Sequence, residues 1–390
     1  MKICLINNLY HPFIRGGAER VVEKIADELK KEHQIFFIST KLRGKEKPQT
    51  REKIYHLNSL FYNLNKIPLA LRFFWHFWDM IDPICYFKIK KILKAEKPDL
   101  VITHNLKGLG FLTTRAVTSL GIKQIHTLHD IQLLHPSGLM FWGREKKIQS
   151  WPAKIYARAC AWLFNSPTAV ISPSTWLLEL HESKGFFKKS KKIVLPNPAP
   201  ITIKEITKEK KADNSCFDFL YVGLIEGHKG MDLLFDAFSD FAKNQEKTVR
   251  LLLAGTGSKL FELSTKIQEK NLEKQILILG WQEKNQIKNL MQTTDCLIMP
   301  SLCYENSPTV IYEAAAAGLP VIASRIGGIT ELTHELGGLL FTPGNKKNLL
   351  KKMRYAIEQP QEMTKISEQS RLKIKKMQSK NYIKKLLALI

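Results

Sequence analysis

The chain has 390 residues, 44% of them apolar, and carries sixty Lys and Arg against thirty-six Asp and Glu, a formal net charge of +24. That length suits two full-sized domains with buried cores, and the ordinary apolar share with no clean membrane-spanning run argues against an integral membrane protein. Six cysteines (Cys4, Cys85, Cys160, Cys216, Cys296, Cys303) form no C-x-x-C pair, which excludes the zinc and redox motifs built on that spacing.

In chain order, short β-branched runs alternate with helical stretches, the pattern of parallel sheets with crossover helices. The first runs cover 2–7, 34–39, 53–57, 99–104, 124–128 and 169–172, with a short final strand at 192–195. The chain enters the first strand directly, with no signal-peptide anatomy, and with the cysteines this gives the expectation of a reducing, cytoplasmic location. Between the third and fourth runs lies 67–87, where Arg72, His76, Asp79 and Asp82 are spaced to line one helical stripe. The other faces carry Phe73, Phe74, Trp75, Phe77 and Trp78, and Lys88, Lys90, Lys91 and Lys94 follow. Two readings stay open: a helix lying on a membrane surface, or a core helix with its polar stripe exposed.

Pro196, Pro198 and Pro200 then break regular structure, and a lysine-rich stretch runs to about 215. A second series of strands is expected at 217–222, 250–254, 275–279, 296–299, 320–323 and 338–341, with helices near 231–243, 259–270, 308–317 and 346–359. The resulting division is 1–197, a linker 198–215, a second domain 216–372, and a helix 373–390 expected to cross back to the first domain. The fold class is α/β, two doubly wound Rossmann-like domains facing across a cleft, and such sheets bind ligands beyond the C-terminal ends of their strands.

The candidate chemistry sits at those strand ends. After the first strand come Gly16 and Gly17, opening a helix, where backbone can approach a phosphate or simply turn. In the second half, Lys229 precedes a helix start and is placed to offer a point charge to a diphosphate. Gly255 and Gly257 follow the next strand, Gly280 and Trp281 the third, and Gly327 and Gly328 open another helix. The densest segment is Glu305, Asn306, Ser307, Pro308, Thr309, Val310, Ile311, Tyr312, Glu313. Ser307 is expected as N-cap, Pro308 as first helical residue and Gly318 as terminator. Free N–H groups around Thr309 favour an anion, and carboxylates at 305 and 313 accept hydrogen bonds from the hydroxyls of a nucleotide-sugar. A capped helix with two unrelated glutamates is the alternative.

These residues resemble the retaining glycosyltransferases of family 4 with the GT-B fold, over nearly the whole chain. The resemblance implies that Glu313 holds the ribose hydroxyls, Glu305 the donor sugar, and the backbone from Asn306 through Ser307 and Pro308 to Thr309 the diphosphate. It implies Lys229 as the phosphate-binding lysine, Gly280 and Trp281 as the loop facing the base, Gly16 as the loop glycine near the diphosphate, and His129 as the histidine contacting the donor sugar. One position departs: where the family often has an arginine stands Leu224, which supplies no bidentate phosphate contact, and Arg15 is one candidate to replace it. No Asp-x-Asp motif stands at a strand end, so no metal or other cofactor is expected.

The function so implied is transfer of a sugar from a UDP- or GDP-sugar to a lipid-linked or polysaccharide acceptor, with retention, in cell-envelope glycan synthesis. A nucleotide-sugar epimerase or a non-catalytic sugar-nucleotide binder on the same fold are the alternatives. The charge alone suggests a nucleic acid or an anionic membrane surface as partner, or solvated lysine faces. Against nucleic acid, the lysines are dispersed, at 188–192, 208–211 and 371–385 among other places, and no binding module is recognisable.

Overall fold

The computed structural model describes residues 1–10, 16–41, 52–59, 68, 72–199, 215–243 and 245–390. Arg15, the basic run 208–211 and most of the expected linker lie outside the described residues. The chain divides into two compact units, the first comprising Met1–Leu139, Glu145–Pro198 and Ser379–Ile390, the second Met140–Arg144 and Ala199–Gln378.

The first unit is built from β1 (Lys2–Ile6), α1 (Gly17–Leu29), β2 (Gln34–Lys41), β3 (Ile54–Asn58), α2 (Arg72–Ile81), α3 (Pro83–Glu96), β4 (Leu100–Thr103), α4 (Thr113–Thr118), β5 (Lys123–Thr127), α5 (Trp151–Phe164), β6 (Ala169–Ser172), α6 (Thr175–Glu182) and β7 (Lys191–Val194). Its seven strands run in the order β3-β2-β1-β4-β5-β6-β7, all parallel. Because helices cover both faces, the central strands read as unbroken apolar runs, and Ile3, Leu5, Ile102 and Ile125 are fully buried. Onto them α1 turns Val21, Val22, Ile25, Ala26 and Leu29, one stripe of an amphipathic helix.

The second unit follows the same plan with β8 (Cys216–Val222), α7 (Met231–Lys243), β9 (Thr248–Ala254), α8 (Leu260–Glu269), β10 (Ile276–Gly280), α9 (Lys284–Thr293), β11 (Cys296–Met299), α10 (Thr309–Ala317), β12 (Val321–Ser324), α11 (Gly327–Leu336), β13 (Leu339–Phe341), α12 (Lys346–Glu358) and α13 (Pro360–Ile374). Its six parallel strands are ordered β10-β9-β8-β11-β12-β13. The chain ends in α14 (Ser379–Leu387), which packs on α1 and adds Tyr382, Ile383 and Leu386 to the first unit's core. Ser379 Oγ donates to Glu28 Oε2 at 3.0 Å, fixing the start of that helix.

All the expected strands are present within two residues of their expected ends. Helices α9 and α13 were not expected. The cysteines are all buried, and none forms a disulfide among the described residues. The stretch 72–87 departs from the reading of a core helix with its polar stripe exposed. It is broken into α2 and α3 by Asp82, whose carboxylate caps the second helix through Cys85 N at 2.9 Å, with Pro83 at its first turn. Asp79 is turned inward and nearly fully buried, accepting from Gly108 N at 2.6 Å, while Phe74, Phe77 and Trp78 face out. The polar stripe is therefore the inner one, because Asp79 and Asp82 satisfy backbone amides that water cannot reach.

Burial pushes the Asp79 carboxyl up to about 7, against the opposing pull of the Gly108 amide and the Lys107 charge. A raised folded-state value means that the native chain holds a proton the unfolded chain has released between about pH 4 and 7, so this group's stabilising contribution is lost as pH rises through that window. Relative to wild type, Asp79→Asn should gain stability from pH 4 to pH 8, on the order of 2–4 kcal/mol in urea unfolding. A difference between the two proteins that stays constant with pH would contradict the assignment.

Candidate active site

In the second sheet β8 is flanked by β9 on one side and β11 on the other, and the strands continue outward in opposite directions from that pair. The loops after β8 and β11 therefore diverge and leave a crevice between them. A single turn, Gly227–Lys229, closes the first loop. The next residue, Gly230, has φ 81°, and a Cβ there would lie 1.9 Å from Pro300 O. Only glycine lets these two loops touch, and the consequence is electrostatic: Lys229 Nζ reaches Glu305 Oε2 at 2.9 Å.

Both side chains are about four-fifths buried, at 22% and 19% exposure. Burial disfavours the Lys229 charge, but the Glu305 carboxylate outweighs it and holds the ammonium above its ordinary value. The second carboxylate oxygen, Glu305 Oε1, is buried and meets no hydrogen-bond partner among the described residues. An orphaned acceptor of this kind is costly in a folded protein and marks a place built for a donor. Main-chain bonds fix the loop on both sides: Glu305 O accepts from Gly328 N at 2.9 Å, and Tyr304 N donates to Met140 O at 2.8 Å. The latter belongs to 140–144, whose Trp142 N also bonds Leu302 O at 2.9 Å beside the antiparallel bridge Phe141–Cys303. The expected domain boundary at 197 gave no sign that five residues of the first half of the chain pair with this loop.

The helix after Glu305 begins one residue later than expected. Pro308 is the N-cap and Thr309 the first residue of α10, with no side-chain cap, because the Ser307 hydroxyl is turned to Tyr312 OH at 2.7 Å. The first-turn N–H groups thus receive no capping side chain. Gly318 ends the helix in the left-handed conformation, as expected. Asn306 and Glu313 are both 7% exposed, Glu313 lying in the second turn beside four buried alanines, Ala314 to Ala317. Gly280 O accepts from Gly255 N at 2.8 Å, joining the loops after β9 and β10, while Trp281 is largely exposed. Leu224, standing where a phosphate-binding arginine was expected, is half exposed, and its carbonyl accepts from Tyr221 OH at 2.6 Å. The crevice of the second unit thus brings Lys229 and Glu305 together, with α10 following directly.

In the first unit, Gly16 N donates to Glu19 Oε2 at 2.8 Å at the start of α1, the one half of a capping box that a residue without a side chain can make. A carboxylate of the chain itself already holds the amide expected near a phosphate. His129 follows β5, and its Nε2 lies 2.9 Å from Nδ1 of His104, which follows the neighbouring β4. Both rings are buried; burial depresses His129 to about 4 and His104 well below its ordinary value. One ring therefore donates and the other accepts, both neutral. The sequence placed both histidines at strand ends but held no sign of the bond between them, which depends on β4 and β5 being adjacent. Among the described residues no three His, Cys, Asp or Glu side chains gather in a way that could hold a metal ion.

Residues 15–202 match the family model described as Glycosyltransferase Family 4, and 202–373 that of Glycosyl transferases group 1. Among related sequences, an uncharacterized 42.6 kDa protein in the cps region of Klebsiella pneumoniae is 28% identical over 87% of this chain and 90% of its own. The UDP-Gal:alpha-D-GlcNAc-diphosphoundecaprenol alpha-1,3-galactosyltransferase of Escherichia coli is 29% identical over 64% of each chain. Among solved structures, Anabaena Alr3699/HepE in complex with UDP and glucose superposes with a TM-score of 0.72 at 20% identity, covering 100% of both chains. Sucrose-phosphate synthase from Thermosynechococcus elongatus gives 0.75 at 17%, covering 100% of this chain and 98% of its own. At these identities the two structures establish the fold, the two-domain GT-B architecture.

The neutral histidine pair carries a pH signature. A depressed folded-state value means that the unfolded chain binds more protons between about pH 4 and 6.5, so stability is lost as pH falls through that window. For His129 alone the loss at pH 4.5 is on the order of 2–3 kcal/mol. The double variant His104→Gln, His129→Gln should flatten this slope when unfolding free energies at pH 4.5 and 7 are compared; an unchanged slope would show that these rings are not the titrating groups.

Proposed function

We propose, from the premise that the chain belongs to the glycosyltransferases of group 1 and family 4, that it moves a hexosyl group from a UDP- or GDP-sugar to a lipid-linked or polysaccharide acceptor in cell-envelope glycan synthesis, with retention of configuration. The observation that carries the reading is Glu305, one of whose carboxylate oxygens is held by Lys229 while the other is buried without a partner. A sugar hydroxyl supplies the donor that oxygen lacks, and a diphosphate competes for the cation beside it. The E. coli relative named for a UDP-Gal donor and a diphosphoundecaprenol acceptor, and the HepE structure with UDP and glucose, support the substrate classes.

In this reading the bond between the sugar's anomeric carbon and the diphosphate oxygen breaks, leaving negative charge on the diphosphate. Lys229 and the first-turn amides of α10 are preorganised for that charge, and Asn306, Ser307, Pro308 and Thr309 carry the backbone that meets it. Glu313 takes the ribose hydroxyls, and the loop of Gly280 and Trp281 faces the base. Gly16 and Gly17 approach the diphosphate only after the Glu19 carboxylate has given up the Gly16 amide. His129 orients the sugar and is not the base, since burial leaves its ring a poor proton acceptor. The acceptor oxygen bonds to the anomeric carbon from the face the diphosphate leaves, and its proton passes to the departing phosphate oxygen.

A panel of sugar nucleotides with purified protein should show slow release of nucleoside diphosphate by one donor. With that donor, Glu305→Gln should lower turnover about a hundredfold. The same variant should bind the nucleoside diphosphate alone at least as tightly as wild type, because removing the carboxylate frees Lys229. Lys229→Ala should weaken that binding roughly tenfold or more. Wild-type turnover by Glu305→Gln would sink the assignment, and an isomerised donor formed without acceptor would favour an epimerase.

A further inference from the structure

The outward faces of α2, α3 and α5 of the first unit combine large exposed rings with cations and no carboxylate. On α2, Phe74, Phe77 and Trp78 are exposed, Phe74 at 67%. Phe87 of α3 is exposed to the same degree, and Trp151 and Trp162 of α5 stand at 76% and 69%. Single exposed rings are ordinary on a protein surface; a run of them along neighbouring helices is not.

These helices lie on one side of the sheet. The crossovers from β3 to β4, β4 to β5 and β5 to β6 all run in one direction along it, and right-handed connections place their helices on a common face. Contacts tie them together: Cys160 Sγ of α5 lies 3.5 Å from Met80 Sδ of α2, and the Arg115 guanidinium of α4 stands 4.3 Å over the Trp162 ring.

The acids of this layer all point elsewhere. Asp79 is buried on the Gly108 amide, Asp82 caps α3, and Glu96 accepts from Lys2 Nζ at 2.9 Å and Lys53 Nζ at 2.6 Å. Neither α4 nor α5 contains an acidic residue. What remains outward are cations, Lys88, Lys91 and Lys94 on α3 and Lys154 and Arg158 on α5, all exposed and interleaved with the rings. A protein partner's interface concentrates rings in a core depleted of charge. Rings alternating with lysines along each helix match the boundary of an anionic bilayer, where aromatic side chains sit at headgroup level and ammonium groups meet phosphate.

We propose that this face of α2, α3 and α5 docks the protein on an anionic lipid bilayer. The inference deepens the lipid-linked acceptor reading, but it stands on the surface alone, and its test contains neither donor nor acceptor. Full-length protein is floated with vesicles of phosphatidylcholine, with and without about one-third phosphatidylglycerol. Wild type should float with the acidic vesicles at low salt, not with phosphatidylcholine alone, and should be released at about 0.5 M salt.

Lys88→Glu with Lys91→Glu should lower the partition at least about tenfold, since each lysine lost from the surface is worth about fivefold. Phe77→Ser with Trp78→Ser should also lower the low-salt partition, on the order of tenfold, because the rings no longer insert at headgroup level. Nucleoside diphosphate release in solution, unchanged in both variants, would show that the fold is intact and would separate failure of docking from failure of the enzyme reading. Absence of wild-type flotation at low salt would overturn the proposal, as would variants that float like wild type. So would a wild-type dimer, seen by light scattering, that Phe77→Ser with Trp78→Ser converts to monomer, because a second copy would then cover the face.

Discussion

The reversal of strand order at β8 and β11 is the constraint on which the candidate site depends. Each strand's loop must leave toward its own side of the sheet, so the backbone opens a crevice at that pair without any help from side chains. One glycine then decides how narrow the crevice is. Gly230 admits the carbonyl of Pro300, where a Cβ would stand 1.9 Å away. A larger residue there would push the loops apart and part Lys229 from Glu305.

Both anion-friendly features of the molecule are held by carboxylates of the chain itself. Glu19 occupies the Gly16 amide at the head of α1, and Glu305 occupies Lys229 beside α10. Such pairing spares a mostly buried ammonium the cost of standing alone, and it sets a threshold for any ligand, which must offer more than a carboxylate does. The first unit does the same with neutral groups, His104 Nδ1 and His129 Nε2 sharing one hydrogen bond where burial keeps either ring from taking a second proton.

The first unit's helical layer shows how burial sorts side chains by their ability to satisfy backbone. Asp79 goes inward although it is charged in water, because the Gly108 amide needs an acceptor, and Asp82 serves the start of α3. Phe74, Phe77 and Trp78 on α2 and Phe87 on α3 go outward although they are apolar. That inversion leaves a cationic, aromatic face, which the reading of a core helix with an exposed polar stripe assigns to the wrong side.

Much of this was legible in the amino-acid sequence. The alternation of β-branched runs with helices determines two parallel sheets, since strands covered on both faces must be apolar throughout. Glycines and charges at strand ends mark where ligands go, and Gly318 sets the end of α10 because only a left-handed residue stops the helix there. Only the tertiary structure decided which groups meet. The pairing of Lys229 with Glu305, the bond between two histidines on neighbouring strands, the insertion of 140–144 beside the Glu305 loop and the inward turn of Asp79 all join residues far apart in the chain. Local pattern carries no record of such distances, because they are set by strand order and by which buried amides lack a partner.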